Sequence, residues 1–180
     1  MALTGSESPS ESASKLLSVS RFVLLMIAAE MWESMPYWLD GPQIDINPKG
    51  LWRTGMIWDE TRGSKRWLWP KVPKGKWVNA KMAHPKLKAC YDDQKPGWND
   101  LEITAAGTKL QAVLNGVKVM EYDGAGVLDD ANHRKYNVGM KGHIALQIHR
   151  GDQVKIRFKD ITIKEIPSPA KATTTKTRQP

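Results

Sequence analysis

Short runs of alternating apolar and polar residues, cut by Gly, Asn, Asp and Pro, fill the chain from Tyr37 to Ile166. This is the pattern of a many-stranded antiparallel fold. Helix-period stretches are nearly absent. In the second half, strands are predicted at Trp98 to Ala105, Lys109 to Leu114, Val117 to Tyr122, His143 to His149 and Val154 to Ile166. Asn115-Gly116 joins two of them, and an Asn-Gly pair between alternating runs signals a type I′ hairpin because both central residues need positive φ. In the last run Val154, Ile156 and Phe158 share one face against Lys155, Arg157 and Lys159. Ile161, Ile163 and Ile166 continue the apolar side past a bulge, so one face is expected buried and the other wet.

The first half is less regular. Tyr37 to Ile46 and Leu51 to Trp58 read as strands around a turn at Asn47-Pro48-Lys49-Gly50. From Asp59 to Pro96 long loops are expected, and a stretch of that length in a compact domain points to function or disorder. Trp67, Trp69 and Trp77 among its lysines and prolines suit a lid or rim over a site. Equally, they suit tryptophans that pin a loop to the body. Residues 1–20, rich in Ser, Glu and Ala, and the tail 167–180 lack apolar periodicity and read as disordered.

Charge changes this picture little. The 27 Lys and Arg against 19 Asp and Glu give a formal charge of +8, but the basic residues are spread between the tail and the 65–88 loop. No helix-turn-helix, finger or aromatic-basic sheet motif accompanies them, so a nucleic-acid partner is not expected. The lone cysteine, Cys90, excludes an intramolecular disulfide framework. Arg21 to Ala29 (RFVLLMIAA) is the one strongly apolar run, far short of the about 20 residues that span a bilayer. Small residues follow it as in a signal peptide, but Glu7 and Glu11 do not suit a basic leader.

Period two also sorts candidate chemistry by face. Ile44 and Ile46 oppose Gln43 and Asp45; Leu101 and Ile103 oppose Trp98, Asp100 and Glu102; Leu110, Ala112 and Leu114 oppose Gln111 and Asn115. Ile144, Leu146 and Ile148 oppose His143, Gln147 and His149. Amides, carboxylates and an aromatic ring are what a sugar site needs for hydroxyls and for a C–H face. If consecutive strands fall in different sheets, some of these residues face water on the wrong side. No nucleophile elbow, Walker loop or zinc-helix motif is present.

The stretch KPGWNDLEITAAGTKLQAVLNGVKVMEYD, followed by GHIALQIHRGDQVKIRFKDITIKEI, closely resembles the C-terminal half of the 3-keto-disaccharide hydrolase domain. A W-N-x-x-E-I strand, an L-N-G hairpin, an I-A-L-Q-x-H strand and a final F-K/R-x-I-x-I-K-E strand occur in the family's order. Upstream, GPQIDI and WRTGMIWDE look like its central strands, with Trp58 where tyrosine is commoner. The resemblance implies an all-β, antiparallel two-sheet sandwich of the concanavalin-like jelly-roll type. It also implies a hydrolase, working by elimination and hydration, that cleaves 3-keto-glycosides or 3-keto-disaccharides supplied by an oxidoreductase, and a periplasmic or extracellular location. Matching positions are His149 and Asp45 for proton transfer, with Gln43, Arg53, Trp98, Asn99, Glu102, Asn115 and Gln147 binding substrate. The residues name no cofactor and leave a divalent metal open.

The family domain opens with further strands and an Asn-Ser-Gly-(Ile/Val)-x-x-Arg stretch, which nothing between Met1 and Pro36 matches. Residues 1–36 therefore read as a leader outside the family, 37–166 as the sandwich with its N-terminal strands missing, and 167–180 as a disordered basic tail. FVLLMIAA is expected to lie across the resulting gap as a helix or makeshift strand. The competing functions are a non-catalytic, lectin-like carbohydrate-binding module, an inactive fragment of the enzyme, and a basic adaptor for polyanions.

Overall fold

The computed structural model describes residues 17–20, 24–29, 31–32, 35–46, 52–90, 97–138, 142–147, 157–164 and 166, with the strands before Leu39 described by backbone alone. The strands are β1 (Leu17–Ser20), β2 (Leu24–Ala29), β3 (Met31–Trp32), β4 (Met35–Leu39), β5 (Pro42–Ile44), β6 (Ile57–Asp59), β7 (Arg66–Trp69), β8 (Asp100–Ala106), β9 (Lys109–Leu114), β10 (Val117–Asp123), β11 (His143–Gln147) and β12 (Arg157–Lys159). Two short helices, α1 (Leu87–Cys90) and α2 (Ala131–Lys135), lie in the connections. One sheet runs β10-β9-β8-β1-β12, the second β11-β2-β5-β6-β7, and β3-β4 form a separate ribbon. Neighbouring strands in all of them are antiparallel.

The two large sheets share one core. Ile44, Ile57 and Leu68 from the second sheet meet Leu101, Leu110, Ala112, Leu114 and Met120 from the first, with Leu87 of α1 and Leu128 closing the sides. Alternation along β9 shows how sequence sets this: Leu110, Ala112 and Leu114 are buried while Lys109 is exposed. At β10 a register shift between Lys118 and Met120 turns both Val119 and Met120 inward, the usual consequence of a bulge. The hairpin before it forms as its dipeptide predicts, with φ of 47° at Asn115 and 77° at Gly116.

The N-terminal region departs most from expectation. Residues 17–20 were expected disordered, yet β1 pairs with both β8 and β12. Within FVLLMIAA, Leu24–Ala29 takes the strand form of the two alternatives: β2 is an interior strand between β11 and β5. An unbroken apolar run suits a strand covered on both faces but has no period to distinguish it from a buried helix.

Other boundaries move for local reasons. Tyr37 to Ile46 is broken at Asp40-Gly41 into β4 and β5. The strand expected over Leu51 to Trp58 begins only at Ile57, after a turn through Gly55 at φ +85°, where an added Cβ would lie 3.1 Å from Val119 Cγ2. The 59–96 stretch contains β7, an edge strand of the second sheet that Pro70 ends by lacking an N–H. Of the last run, Arg157–Lys159 is strand among the described residues; Asp160 turns to φ +52°, and Ile161, Ile163 and Ile166 are exposed rather than buried. Val154, Ile156, Ile148 and His149 lie outside the described residues.

Candidate functional site

Backbone register carries one row of positions across the second sheet. Ala145 pairs with Met26, Met26 with Gln43, Gln43 with Trp58 and Trp58 with Trp67. Directly paired residues share a face, and residues two apart along a strand do as well. Since Ile44 and Ile57 fill the core, Gln43, Asp45, Trp58, Glu60, Trp67 and Gln147 belong to the opposite, outer face. That face is not bare surface. Trp67, Met56 and Val78 form a second buried cluster, packed with Trp52, Trp58, Trp69 and Val72, so the segment after β7 covers part of the sheet.

Beneath that cover the polar groups are deeply placed. Gln43, Asp45 and Glu60 are 5%, 6% and 8% exposed. Asp45 Oδ2 lies 3.3 Å from Arg53 Nε, close enough to attract but without hydrogen-bond geometry at that nitrogen. Arg53 also lies 5.7 Å from the centre of the Trp52 ring. Glu60 accepts hydrogen bonds from Trp58 Nε1 at 2.5 Å and from Lys65 Nζ. By contrast, the amide oxygens of Gln43 and Gln147 and the indole nitrogen of Trp67 are buried with no hydrogen-bond partner among the described residues. Each such orphan costs about 1–3 kcal/mol, a large fraction of a net stability of about 5–15 kcal/mol. Such orphans are rare in folded proteins.

Three tryptophans build one wall. The Trp58 and Trp77 rings stack at 5.6 Å and 6°, and Trp67 meets both edge-on, at 5.2 Å and 6.0 Å. Trp67 belongs to β7 and is buried, whereas Trp77 comes from the following loop and is 67% exposed. Of the two roles that sequence left open for these rings, Trp67 takes the packing one, in the buried cluster with Met56 and Val78.

The structure brings four of the sequence-named residues, Gln43, Asp45, Arg53 and Gln147, to this face. It does not bring Trp98, Asn99, Glu102 or Asn115, which precede, lie on or follow strands of the other sheet. Asn115 is occupied by its turn: Oδ1 accepts from the Asp100 N–H at 2.8 Å, and Nδ2 donates to Asn99 Oδ1 at 2.7 Å and to the Cys90 carbonyl at 2.6 Å. Asn99 is 1% exposed. Glu102 is exposed on the face of β8 opposite Leu101, away from the core. Trp98 has the Lys159 ammonium 4.5 Å from its ring centre. His149, two positions beyond Gln147, lies outside the described residues. Sequence reasoning missed Glu60 and Trp58 as site residues, although period two from Trp58 places Glu60 beside it.

A second buried polar group went unread. His133 of α2 bridges two carboxylates, with Nε2 3.2 Å from Asp59 Oδ1 and Nδ1 2.8 Å from Asp130 Oδ1, and Arg66 Nε lies 3.3 Å from Asp59 Oδ2. Burial works against the imidazolium, but the hydrogen bonds and charges of Asp59 and Asp130 outweigh it and hold the His133 pKa above its ordinary value. Both His133 and Asp59 are fully buried. A substrate has no approach to them, so the pair anchors α2 to β6. Among the described residues, no three His, Cys, Asp or Glu side chains group as metal ligands, and no helix is long and apolar enough to cross a membrane.

Residues 24–164 match the family of 3-keto-alpha-glucoside-1,2-lyase-like domains. The match begins at β2, within the segment that sequence reading set apart as a leader. None of the curated proteins matches the chain.

Proposed function

From the chain's membership of the 3-keto-alpha-glucoside-1,2-lyase-like domain family, to which it belongs over residues 24–164, we propose that the outer face of the second sheet binds a 3-keto-glycoside and breaks its glycosidic bond. The observation that carries this reading is the pair of buried, unpartnered amide oxygens on Gln43 and Gln147, beside Asp45, Arg53 and a tryptophan wall. Sugar hydroxyls donate to such oxygens, and the indole rings offer a flat partner for the C–H face.

A ketone at C3 acidifies the C–H at C2. A base removes that proton, the electron pair is delocalised onto the ketone oxygen as an enolate, and its return expels the glycosidic oxygen from C1. Water added across the resulting C1–C2 double bond completes a net hydrolysis. Asp45 or His149 serves as the base, Arg53 stabilises the charge that develops on the ketone oxygen, and Gln43 and Gln147 orient the ring. Such a substrate requires prior oxidation at C3, so an oxidoreductase is the enzyme expected to supply it.

The alternative, a lectin-like module without chemistry, draws support from one observation. The Asp45 carboxylate lies 3.3 Å from Arg53, so the two charges already face each other without a substrate. Incubation with a 3-keto-disaccharide, with the freed sugar followed by chromatography, decides between the two. Release of sugar supports the enzyme; binding without release supports the module.

A further inference from the structure

The segment from Pro70 to Cys90 contains Lys71, Lys74, Lys76, Lys81, Lys86 and Lys88 and not one Asp or Glu. All of these lysines are exposed. Among the described residues, the lysine ion pairs are those of Lys65, Lys109 and Lys118, outside this segment. Six exposed lysines with no carboxylate between them in the chain add to a local positive potential that attracts anions. The segment is also held in place. Val78 and Leu87 are buried at 6% and 2%, the Lys76 N–H bonds the Pro73 carbonyl at 3.0 Å, and Asn79 caps the turn at Ala80–Met82.

Among these lysines stands Trp77. One of its faces stacks on Trp58, whose backbone pairs with Gln43, and 67% of the residue remains exposed. A large aromatic left this open, yet fixed by a parallel partner, is a preformed platform that loses little entropy on binding.

We infer that Trp77 and the flanking lysines form a binding surface for an acidic sugar unit, whose ring stacks on the open indole face while its anionic group meets Lys74 and Lys76. The surface adjoins the outer face of the second sheet through Trp58, so an acidic saccharide chain would place one unit on Trp77 and its neighbour toward Gln43. The inference rests on the proposed function only in taking the stacked ring to be a sugar.

The test uses the full chain and an oligogalacturonate, with a neutral cello-oligosaccharide and an oligothymidylate as controls. Affinity is read by tryptophan fluorescence and calorimetry at low and at physiological salt. Expected is binding of the oligogalacturonate that weakens with salt. Trp77→Ala should reduce it about five- to tenfold, Trp77→Phe should restore most of it, and Lys74→Gln with Lys76→Gln should weaken it and flatten its salt dependence. Thermal unfolding of each variant checks that the fold persists. Equal binding of the neutral sugar, tighter binding of the oligothymidylate, or an unchanged affinity in Trp77→Ala overturns the inference. Turnover of a 3-keto-glycoside, followed on the same preparations, separates the two readings. Turnover without acidic-sugar binding sinks this surface alone; acidic-sugar binding in a protein that never turns over a 3-keto-glycoside upholds it and removes the catalytic reading.

Discussion

Gln43 on β5 and Gln147 on β11 face the same side of one sheet with the single strand β2 between them, and each buries an amide oxygen that no described residue satisfies. Neither glutamine earns its place through a bond to the fold at that oxygen. Their shared orientation follows from register alone, since Gln147 lies two positions beyond Ala145, which is level with Gln43 across Met26. A ligand that donates hydrogen bonds to both oxygens would recover the desolvation cost that folding leaves standing.

Replacing Gln43 by Met, of similar length and without polar atoms, should therefore leave stability unchanged or raise it by about 1 kcal/mol. Turnover of a 3-keto-glycoside should fall about tenfold or more, the scale of one lost orienting hydrogen bond. Urea unfolding and kinetics on the same preparation check both halves. A less stable variant with normal turnover would mean that the amide serves the fold.

Asp45→Asn keeps shape and hydrogen-bonding capacity while removing the proton acceptor. With Asp45 as the base, kcat should drop by about 10²–10⁴ with little change in KM. A drop of that size from Arg53→Met, accompanied by normal Asp45 chemistry in single-turnover experiments, would instead place the main effect on the developing enolate charge.

Asn115 offers the opposite case, a residue whose polar atoms are spent on architecture. It sits at φ 47° and ties the Asp100 N–H, the Asn99 side chain and the Cys90 carbonyl together. Asn115→Ala should destabilise the protein by about 2–4 kcal/mol, combining strain at positive φ with lost and orphaned hydrogen bonds. Asn115→Gly should recover the part owed to φ. The folded fraction of either variant should turn over substrate at the parent rate, which a comparison of activity per native molecule will show.

These contrasts indicate what the sequence could and could not express. The β9–β10 hairpin was legible because Asn115-Gly116 encodes its turn locally, and the Gln43 and Asp45 face was legible because period two is local as well. Which sheet a strand joins is not local. Trp98, Asn99, Glu102 and Asn115 carry the same sugar-compatible chemistry as Gln43, yet they lie on or beside β8 and β9, which pair with each other and with β1 and β10 rather than with β5. The form of β2 stayed open because an apolar run without alternation fits an interior strand, a buried helix or a leader equally well. The His133 to Asp59 contact joins residues 74 apart in sequence, across two sheets' worth of chain, and leaves no periodic trace at either end.

That contact makes the last prediction one of pH. His133 has a raised pKa in the folded protein, from hydrogen bonds and charges of Asp59 and Asp130 that outweigh burial, while an unfolded histidine titrates near about 6.5. The folded state thus holds a proton that the unfolded state has released. Stability from this group is fully present below the unfolded pKa and is lost as pH rises through the folded value. Asp130 works on the other side: burial opposes its charged form, but hydrogen bonds from the His133 backbone and ring lower its pKa, so its contribution is present above the unfolded carboxylate range and lost as pH falls through the lowered value. Burial raises Cys90 and Tyr122, and both add a decline of their own at higher pH, so the informative window runs from about pH 6 to about pH 8. Urea unfolding across it should show the parent losing stability as pH rises, and His133→Gln should be less stable at the acidic end with a flatter slope. A parent whose stability climbs with pH in that window, or a variant with an identical slope, would mean that His133 is buried neutral and that the Asp59 charge is met by Arg66 alone.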